Sequence, residues 1–81
     1  MYYLYVLRSI SFSRHYIGIT ASVKNRLDKH NAGEVVSTKA YRPWQLAYVE
    51  EFSEKTPARK REIFLKTTAL ARKELFENLD R

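Results

Sequence analysis

The hydrophobic residues near the start of the chain alternate as they do in β-strands. Residues 2–7, Tyr-Tyr-Leu-Tyr-Val-Leu, are rich in aromatic and branched side chains. They predict a strand with both faces covered, because successive side chains point to opposite sides. A second apolar run at residues 15–20 follows a polar stretch, which favours an antiparallel hairpin. If the hairpin closes symmetrically at residues 10–11, Tyr5 lies opposite Tyr16, at the distance of cross-strand neighbours.

A helix with a polar start and a glycine stop is predicted after the hairpin. Ser22 is a suitable N-cap and Gly33 a suitable end, so the helix covers about residues 22–32. Arg26 and His30 are four residues apart and therefore project from neighbouring turns on the same side. The apolar stripe beside His30 consists of Val23 and Leu27.

The second half of the chain predicts one more strand and two helices. Thr56-Pro57 is a strong helix start, because threonine caps helices and proline is tolerated in the first turn, so a helix is expected at about residues 57–67. A last helix is expected at about residues 68–79, and its continuity with the preceding one is left open. The strand covers about residues 45–52, with one face formed by Leu46, Tyr48 and Phe52 and the other by Ala47 and Val49.

One carboxylate interrupts the apolar face of the helix that follows Pro57. Positions 58, 62, 65 and 69 share that face and hold Ala, Glu, Leu and Ala. Burying a carboxylate costs several kcal/mol unless it is paired or bound to a metal ion. Glu62 is therefore either a metal ligand or a member of an ion pair, for which Arg26 is a candidate.

Two connecting segments have an unusual composition. The turn between the first two strands contains Ile10 and Phe12, which predicts that it packs against another segment or carries a bulge. Residues 34–44 are predicted to form a polar, basic loop that is ended by Pro43. This loop contains Lys39, Tyr41 and Arg42.

These elements together predict the fold class α+β. The expected architecture is a small three-stranded, mostly antiparallel sheet covered by helices, in the order β-β-α-β-α-α. The 81 residues suffice for one domain, residues 1–81, and not for two.

Charge and composition narrow the classes of partner and cofactor. The net charge is +6, and residues 1–49 hold seven Lys or Arg against two acids, which suits a partner that bears phosphates. A solvated basic face would give the same charge. The absence of cysteine excludes disulfides and thiolate zinc sites, so any metal must be held by oxygen ligands, with at most one histidine. No leader is recognisable and no apolar run approaches the ~20 residues of a membrane span, so a soluble, cytoplasmic protein without membrane contact is expected.

Several short motifs resemble those of the GIY-YIG nucleases, a family named for two tripeptides. The first tripeptide is Tyr3-Leu4-Tyr5, in which the usual glycine and isoleucine are replaced, and the second is Tyr16-Ile17-Gly18. Arg26, His30 and Glu62 fall at the positions of the family's helical arginine, its histidine and its metal-binding glutamate. The pattern is most similar to the short stand-alone bacterial branch of excinuclease-like domains.

The resemblance implies metal-dependent hydrolysis of DNA phosphodiester bonds, with selection of DNA structure rather than of a long sequence. Glu62 would hold one divalent ion, Mg²⁺ or Mn²⁺, and Arg26 would neutralise phosphate oxygens. Tyr5 would act as general base near the attacking water, and His30 would accept or orient its proton. Tyr16 would bind water or phosphate. Further substrate contacts are expected from Gly18, Lys39, Arg42 and Lys66.

An alternative from another class is a nucleic-acid-binding or protein-interaction module of the same fold without catalytic turnover. Many family members carry an asparagine in the helix after the glutamate, and residues 67–74 contain none, while Asn78 lies too far along. No additional DNA-reading module is expected. Taken singly, the site residues also have ordinary structural explanations: Tyr5 and Tyr16 as core tyrosines, His30 as a packed histidine and Arg26 as a solvated charge.

Overall fold

The protein is a three-stranded antiparallel sheet with helices on both faces, described for residues 1–80 by a computed structural model. The sheet order is β2-β1-β3, and β1 pairs antiparallel with both neighbours. The predicted class and element order are confirmed, with one additional four-residue helix, α2, inside the predicted basic loop. The elements are β1 (Tyr2–Ser9), β2 (His15–Thr20), α1 (Val23–Asn31), α2 (Val36–Lys39), β3 (Trp44–Phe52), α3 (Lys55–Thr67) and α4 (Ala69–Leu79).

Helices cover both faces of the sheet because β1 carries apolar side chains on both. Leu4 and Val6 are buried under α3 and α4, on what we call the α3 face. Tyr5 and Leu7 are buried on the opposite face, against α1, which we call the α1 face. The predicted strand with two covered faces is therefore confirmed.

The register of the hairpin differs by two residues from the one that a symmetric turn predicts. Tyr5 pairs with Gly18, and Tyr16 pairs with Leu7, so the prediction that Tyr5 lies opposite Tyr16 is wrong. The turn is wider because the Ser9 amide bonds to the carbonyl of residue 14, which leaves residues 10–13 outside the ladder. A shift of two residues keeps every side chain on its face, and the Tyr5 and Tyr16 rings are diagonal neighbours, with centroids 6.2 Å apart.

A β-bulge in β3 changes the face of the first residues of that strand. Leu46 pairs with Leu7 and Tyr48 pairs with Val6, which leaves Ala47 without a partner in β1. Leu46 therefore lies on the α1 face and Tyr48 on the α3 face. The uninterrupted alternation that grouped Leu46 with Tyr48 is wrong, because the bulge inserts one residue between them.

Helix α3 begins earlier than predicted and ends at a break. It starts at Lys55 with Glu54 as the residue before it, so Thr56 is not its N-cap. Thr68 adopts an extended conformation that separates α3 from α4, and Ala69 is exposed instead of lying on the buried face. The buried positions that agree with the prediction are Ala58, Glu62 and Leu65. Among residues 1–80, no helix has the length and apolar content needed to traverse a membrane.

The apolar turn of the hairpin packs against the segment between α2 and β3, as its composition predicted. The buried Ser9 hydroxyl donates to the Tyr41 carbonyl at 2.7 Å and accepts from the Phe12 amide at 3.1 Å. The Phe12 ring meets the Tyr41 ring edge-on, with centroids 5.5 Å apart. The turn and the segment after α2 therefore form one packed unit at the end of the sheet.

Candidate active site

Tyr5 is buried in the central strand beneath α1, with 1% of its surface exposed. Its hydroxyl lies 3.1 Å from His30 Nε2, and the Tyr16 and His30 ring centroids are 4.7 Å apart. Gly18 faces Tyr5 across the ladder, and a Cβ atom at Gly18 would lie 2.6 Å from the Tyr5 hydroxyl oxygen. Gly18 thus makes room for the Tyr5 side chain, and its predicted contact with substrate stays a prediction.

His30 is fully buried near the end of α1, and both of its ring nitrogens face hydrogen-bonding partners. Nε2 faces the Tyr5 hydroxyl, and Nδ1 lies 2.8 Å from Thr38 Oγ1. The Thr38 hydroxyl donates in turn to the Val35 carbonyl at 3.3 Å. The sequence carries no signal for Thr38, because a threonine in a polar segment is ordinary and the helix α2 that contains it was predicted as loop.

The Arg26 guanidinium faces the hydroxyl groups of Tyr5 and Tyr16 from α1. Burial raises the pKa of Tyr5 to about 12, although the neighbouring Arg26 charge acts in the opposite direction. Burial lowers the pKa of His30 from its ordinary value, and the charge of Arg26 adds to that shift. At neutral pH the site therefore contains a protonated tyrosine beside a neutral histidine.

Glu62 is buried in α3, and each of its carboxylate oxygens is paired with a cation. Arg59 bonds to Oε1, and Lys66 Nζ lies 3.1 Å from Oε2, whereas the Arg26 pairing that the sequence suggested is not formed. Lys66 Nζ also lies 5.7 Å from the centre of the Tyr16 ring. Because β2 is an edge strand and Tyr16 belongs to the α1 face, the Lys66 side chain approaches that face from α3 at the edge of the sheet.

The predicted site residues form two groups. The tyrosine–histidine cluster consists of Tyr5, Tyr16, Arg26 and His30, to which the structure adds Thr38. The glutamate cluster consists of Arg59, Glu62 and Lys66. Burial is the main cause of the raised pKa of Tyr5, and the negative charge of Glu62 is the smallest contribution to it, which places the glutamate cluster within electrostatic range of Tyr5. Within residues 1–80, no three His, Cys, Asp or Glu side chains are grouped as a metal site.

Two of the predicted substrate contacts lie outside both clusters. Arg42 Nε donates to the Lys39 carbonyl at 2.9 Å, and the Arg42 guanidinium lies against Gly33. Lys66, in contrast, lies beside Glu62 and Tyr16. The stretch in which the family asparagine was sought instead provides Arg72, which donates to two carbonyls at the end of α3 and so supports the break between α3 and α4.

The fold and the grouping of these side chains match a class of nuclease domains. The chain belongs to the family described as the GIY-YIG catalytic domain, which matches residues 1–74. The resemblance inferred from the sequence motifs is therefore confirmed.

The similar proteins are short chains designated UPF0213. A UPF0213 protein of Staphylococcus haemolyticus is 40% identical over 67 residues, which cover 82% of this chain and 80% of the relative. A UPF0213 protein of Streptococcus pneumoniae serotype 4 is 39% identical over 82 residues, which cover 98% of this chain and 82% of the relative. The solution NMR structure of a UPF0213 protein of Bacillus halodurans matches with a TM-score of 0.58 and 28% identity, covering 96% of this chain and 83% of that one. The chain is thus similar to stand-alone GIY-YIG domain proteins.

Membership in this family has general functional implications. A GIY-YIG nuclease domain implies a nucleic-acid substrate and endonuclease activity, and nucleases of this family generally use divalent metal ions. The two clusters must therefore be explained as parts of a site for this chemistry.

Proposed function

We propose that this protein is a metal-dependent endonuclease that hydrolyses DNA phosphodiester bonds and selects DNA by structure rather than by a long sequence. The observation that carries the proposal is the buried contact between the Tyr5 hydroxyl and His30 Nε2, with Arg26 facing the same hydroxyl. A hydroxyl, a neutral base and a fixed positive charge at one point are the groups that activate water beside a phosphate.

Tyr5 would transfer a proton from the attacking water to His30. As the water oxygen bonds to phosphorus, its proton moves to the Tyr5 oxygen while the Tyr5 proton moves to His30 Nε2. The bond from phosphorus to the leaving oxygen breaks, and that oxygen takes a proton from solvent. A concerted transfer suits a tyrosine whose pKa is raised to about 12, because no free tyrosinate has to form. Arg26 would donate to the phosphoryl oxygens as their charge grows.

Glu62 would hold one Mg²⁺ or Mn²⁺ ion together with water and the substrate phosphate. When bound, the ion would neutralise the charge that develops on the phosphoryl oxygens. The donor set fits such an ion, since Glu62 provides oxygen ligands and already attracts two positive groups. The side chains of Arg59 and Lys66 are 58% and 46% exposed, so either side chain can turn into solvent when a metal ion takes its place.

A nicking assay tests the proposal. Branched, single-stranded and supercoiled DNA are incubated with Mg²⁺ or Mn²⁺ and with wild type, Tyr5→Phe or Glu62→Ala. Tyr2→Phe and Glu74→Ala are matched controls, because these residues lie outside both clusters. We expect cleavage by wild type and both controls, and its loss in the two site variants. Equal results for wild type and the site variants would exclude the proposed mechanism.

The second candidate is a nucleic-acid-binding module of the same fold without turnover. It is favoured by the pairing of both Glu62 oxygens with protein cations, which a permanently bound metal ion would not require. In that case wild type binds DNA in a salt-dependent manner but leaves it intact with either metal ion. The same set of variants therefore separates the two functions.

A further inference from the structure

We propose that Thr38 is a positioning residue that holds His30 in the tautomer with its proton on Nδ1, so that Nε2 accepts the proton of Tyr5. The tautomer is a property of the folded chain, and only its catalytic consequence rests on the proposed function. Thr38 is 1% exposed and belongs to α2, where no sequence motif of the family was assigned.

Thr38 is fixed on two sides by hydrogen bonds. Its hydroxyl oxygen lies 2.8 Å from His30 Nδ1 and 3.3 Å from the Val35 carbonyl oxygen. Its own carbonyl accepts from the indole nitrogen of the buried Trp44 at 3.0 Å. The threonine oxygen is therefore held at a constant position relative to the imidazole ring.

The tautomer with its proton on Nδ1 gives each of these polar groups a hydrogen-bonding partner. A hydroxyl has one proton, and Thr38 gives it to the Val35 carbonyl, which leaves lone pairs to accept from His30 Nδ1–H. Nε2 then presents a lone pair to the Tyr5 hydroxyl at 3.1 Å, so each group in the series from Tyr5 to the Val35 carbonyl has a hydrogen-bonding partner.

The opposite tautomer leaves a buried proton without an acceptor. If His30 Nε2 carried the proton, it would donate to Tyr5, and the Tyr5 proton would need another acceptor. Arg26 offers only donors, so within residues 1–80 His30 is the only hydrogen-bonding partner of the Tyr5 hydroxyl that has an acceptor. An unpaired buried hydroxyl proton is costly, so the Nδ1–H form is favoured.

The tautomer can be read directly by long-range ¹H–¹⁵N NMR of the imidazole ring at pH 7.5. The chain has only two histidines, so His15→Gln assigns the signals of His30. We expect the Nδ1–H pattern in wild type and in Thr38→Ser, which keeps the hydroxyl. In Thr38→Val, which keeps the branched shape without the hydroxyl, we expect a shift toward Nε2–H. A wild-type Nε2–H pattern, or an unchanged pattern in Thr38→Val, would overturn the proposal.

A second readout addresses the catalytic consequence. In the nicking assay, Thr38→Val should lower kcat by at least about tenfold with little change in KM, and Thr38→Ser should retain most activity. If wild type has no nuclease activity, the proposed function fails while the NMR result still decides the tautomer. If Thr38→Val does not fold, the wild-type and Thr38→Ser spectra are sufficient, because each must show the Nδ1–H form.

A separate observation concerns the end of the sheet, where we infer a stacking surface for an unpaired DNA base, a contact that rests on the proposed function. Ile10 and Phe12 are 60% and 49% exposed in the hairpin turn. The Arg14 guanidinium lies 4.4 Å from the centre of the Tyr41 ring, against which Phe12 also packs. Aromatic rings combined with arginine are the usual means of binding single-stranded nucleic acid.

The surface is rigid and positively charged, as such a ligand requires. Ser9 ties the turn to Tyr41, and the Ile10 amide bonds to the Pro43 carbonyl at 2.9 Å. Residues 10–14 and 34–43 hold three basic side chains against one acidic one. Along β1, the turn begins five residues beyond Tyr5, or about 17 Å at the rise of a strand, which is close enough to contact the same DNA molecule.

Binding of a labelled single-stranded oligonucleotide, followed by fluorescence anisotropy, tests this surface. Phe12→Ala should weaken binding at least about fivefold. Phe64→Ala is the matched control, because Phe64 is 45% exposed and also lies beside an arginine, Arg61. Equal affinities for Phe12→Ala and wild type would overturn the stacking surface and leave the proposed function standing. An absence of binding by wild type would likewise overturn the stacking surface, while nicking of branched and supercoiled DNA decides the proposed function separately.

Discussion

The tyrosine–histidine cluster and the glutamate cluster differ in how firmly the fold holds them. Tyr5, His30 and Thr38 are each at most 1% exposed and are linked by hydrogen bonds that end at a backbone carbonyl. Glu62 is also buried, but the cations that neutralise it, Arg59 and Lys66, extend from exposed positions. The comparison indicates that packing holds the hydroxyl and the imidazole in place, whereas the Glu62 carboxylate, the proposed metal ligand, is held by exposed partners that a metal ion and a phosphate would displace.

The largest expected effect separates activity from stability in the glutamate cluster. Glu62→Gln keeps the shape of the side chain but removes its charge, so Mg²⁺-dependent nicking should fall by roughly 10³-fold, the scale of losing metal-ion stabilisation. The free energy of unfolding should change by only about 1 kcal/mol, since the ion pairs involve exposed partners. Nicking rates and urea denaturation measure the two quantities. A large loss of stability would show that Glu62 is chiefly a structural residue.

The next largest expected effect concerns the room that Gly18 leaves for the Tyr5 side chain in the tyrosine–histidine cluster. Gly18→Ala places a methyl group against the Tyr5 ring and hydroxyl, at 2.6 Å from the oxygen, and should destabilise the protein by about 1–3 kcal/mol. In a Tyr5→Phe background the same substitution should cost less, because the closest atom is gone. Denaturation of the four proteins in this double-mutant cycle provides the coupling. Strict additivity would mean that the two side chains do not meet.

Most of the fold could be predicted from the sequence, because local patterns determine it. The alternation in residues 2–7 predicted the two covered faces of β1, and Ser22 and Gly33 predicted the ends of α1. The bulge at Ala47 could not be predicted, since it depends on how β3 pairs with β1 and not on its own alternation. The same holds for the hairpin register.

The two clusters were predictable to different degrees. The positions of the glutamate and of the helical arginine and histidine follow from family motifs, and the structure brings the arginine and histidine to the tyrosines. The partners of Glu62 are a different case, because several arginines and lysines in α3 were equally available and only the side-chain geometry selects Arg59 and Lys66. Thr38 was not predictable, because its role depends on a tertiary contact with His30 across eight residues.

The lowered pKa of His30 gives a pH dependence of definite sign. In the proposed mechanism a neutral His30 accepts the Tyr5 proton, so the nicking rate should be constant above pH 6.5 and should fall only at pH values below the ordinary histidine pKa. His15→Asn is the control and should keep the same profile. A fall in rate that already begins near pH 7.5 would contradict a neutral, buried acceptor.

The lowered pKa of His30 also makes the free energy of unfolding depend on pH. Because the folded state binds the His30 proton less readily than the unfolded state, His30 contributes its full stability above pH 6.5, and that contribution is lost as the pH falls below 6.5. Urea denaturation between pH 5 and 8 should show this trend. This pH dependence should be weaker in His30→Gln, because glutamine does not titrate.

The substitution with the smallest expected effect, Arg59→Ala, tests whether the cations beside Glu62 compete with the metal ion. Arg59→Ala removes one of the two positive charges on the carboxylate, so the Mg²⁺ concentration for half-maximal nicking should fall about two- to fivefold, the scale of one partly exposed ion pair. Lys60→Ala is the matched control, since Lys60 is an exposed cation in the same helix that does not pair with Glu62. Binding of Mn²⁺ measured by the loss of its free electron paramagnetic resonance signal gives the same comparison without cleavage. A higher metal requirement in Arg59→Ala would mean that Arg59 supports the substrate phosphate instead of occupying the place of the ion.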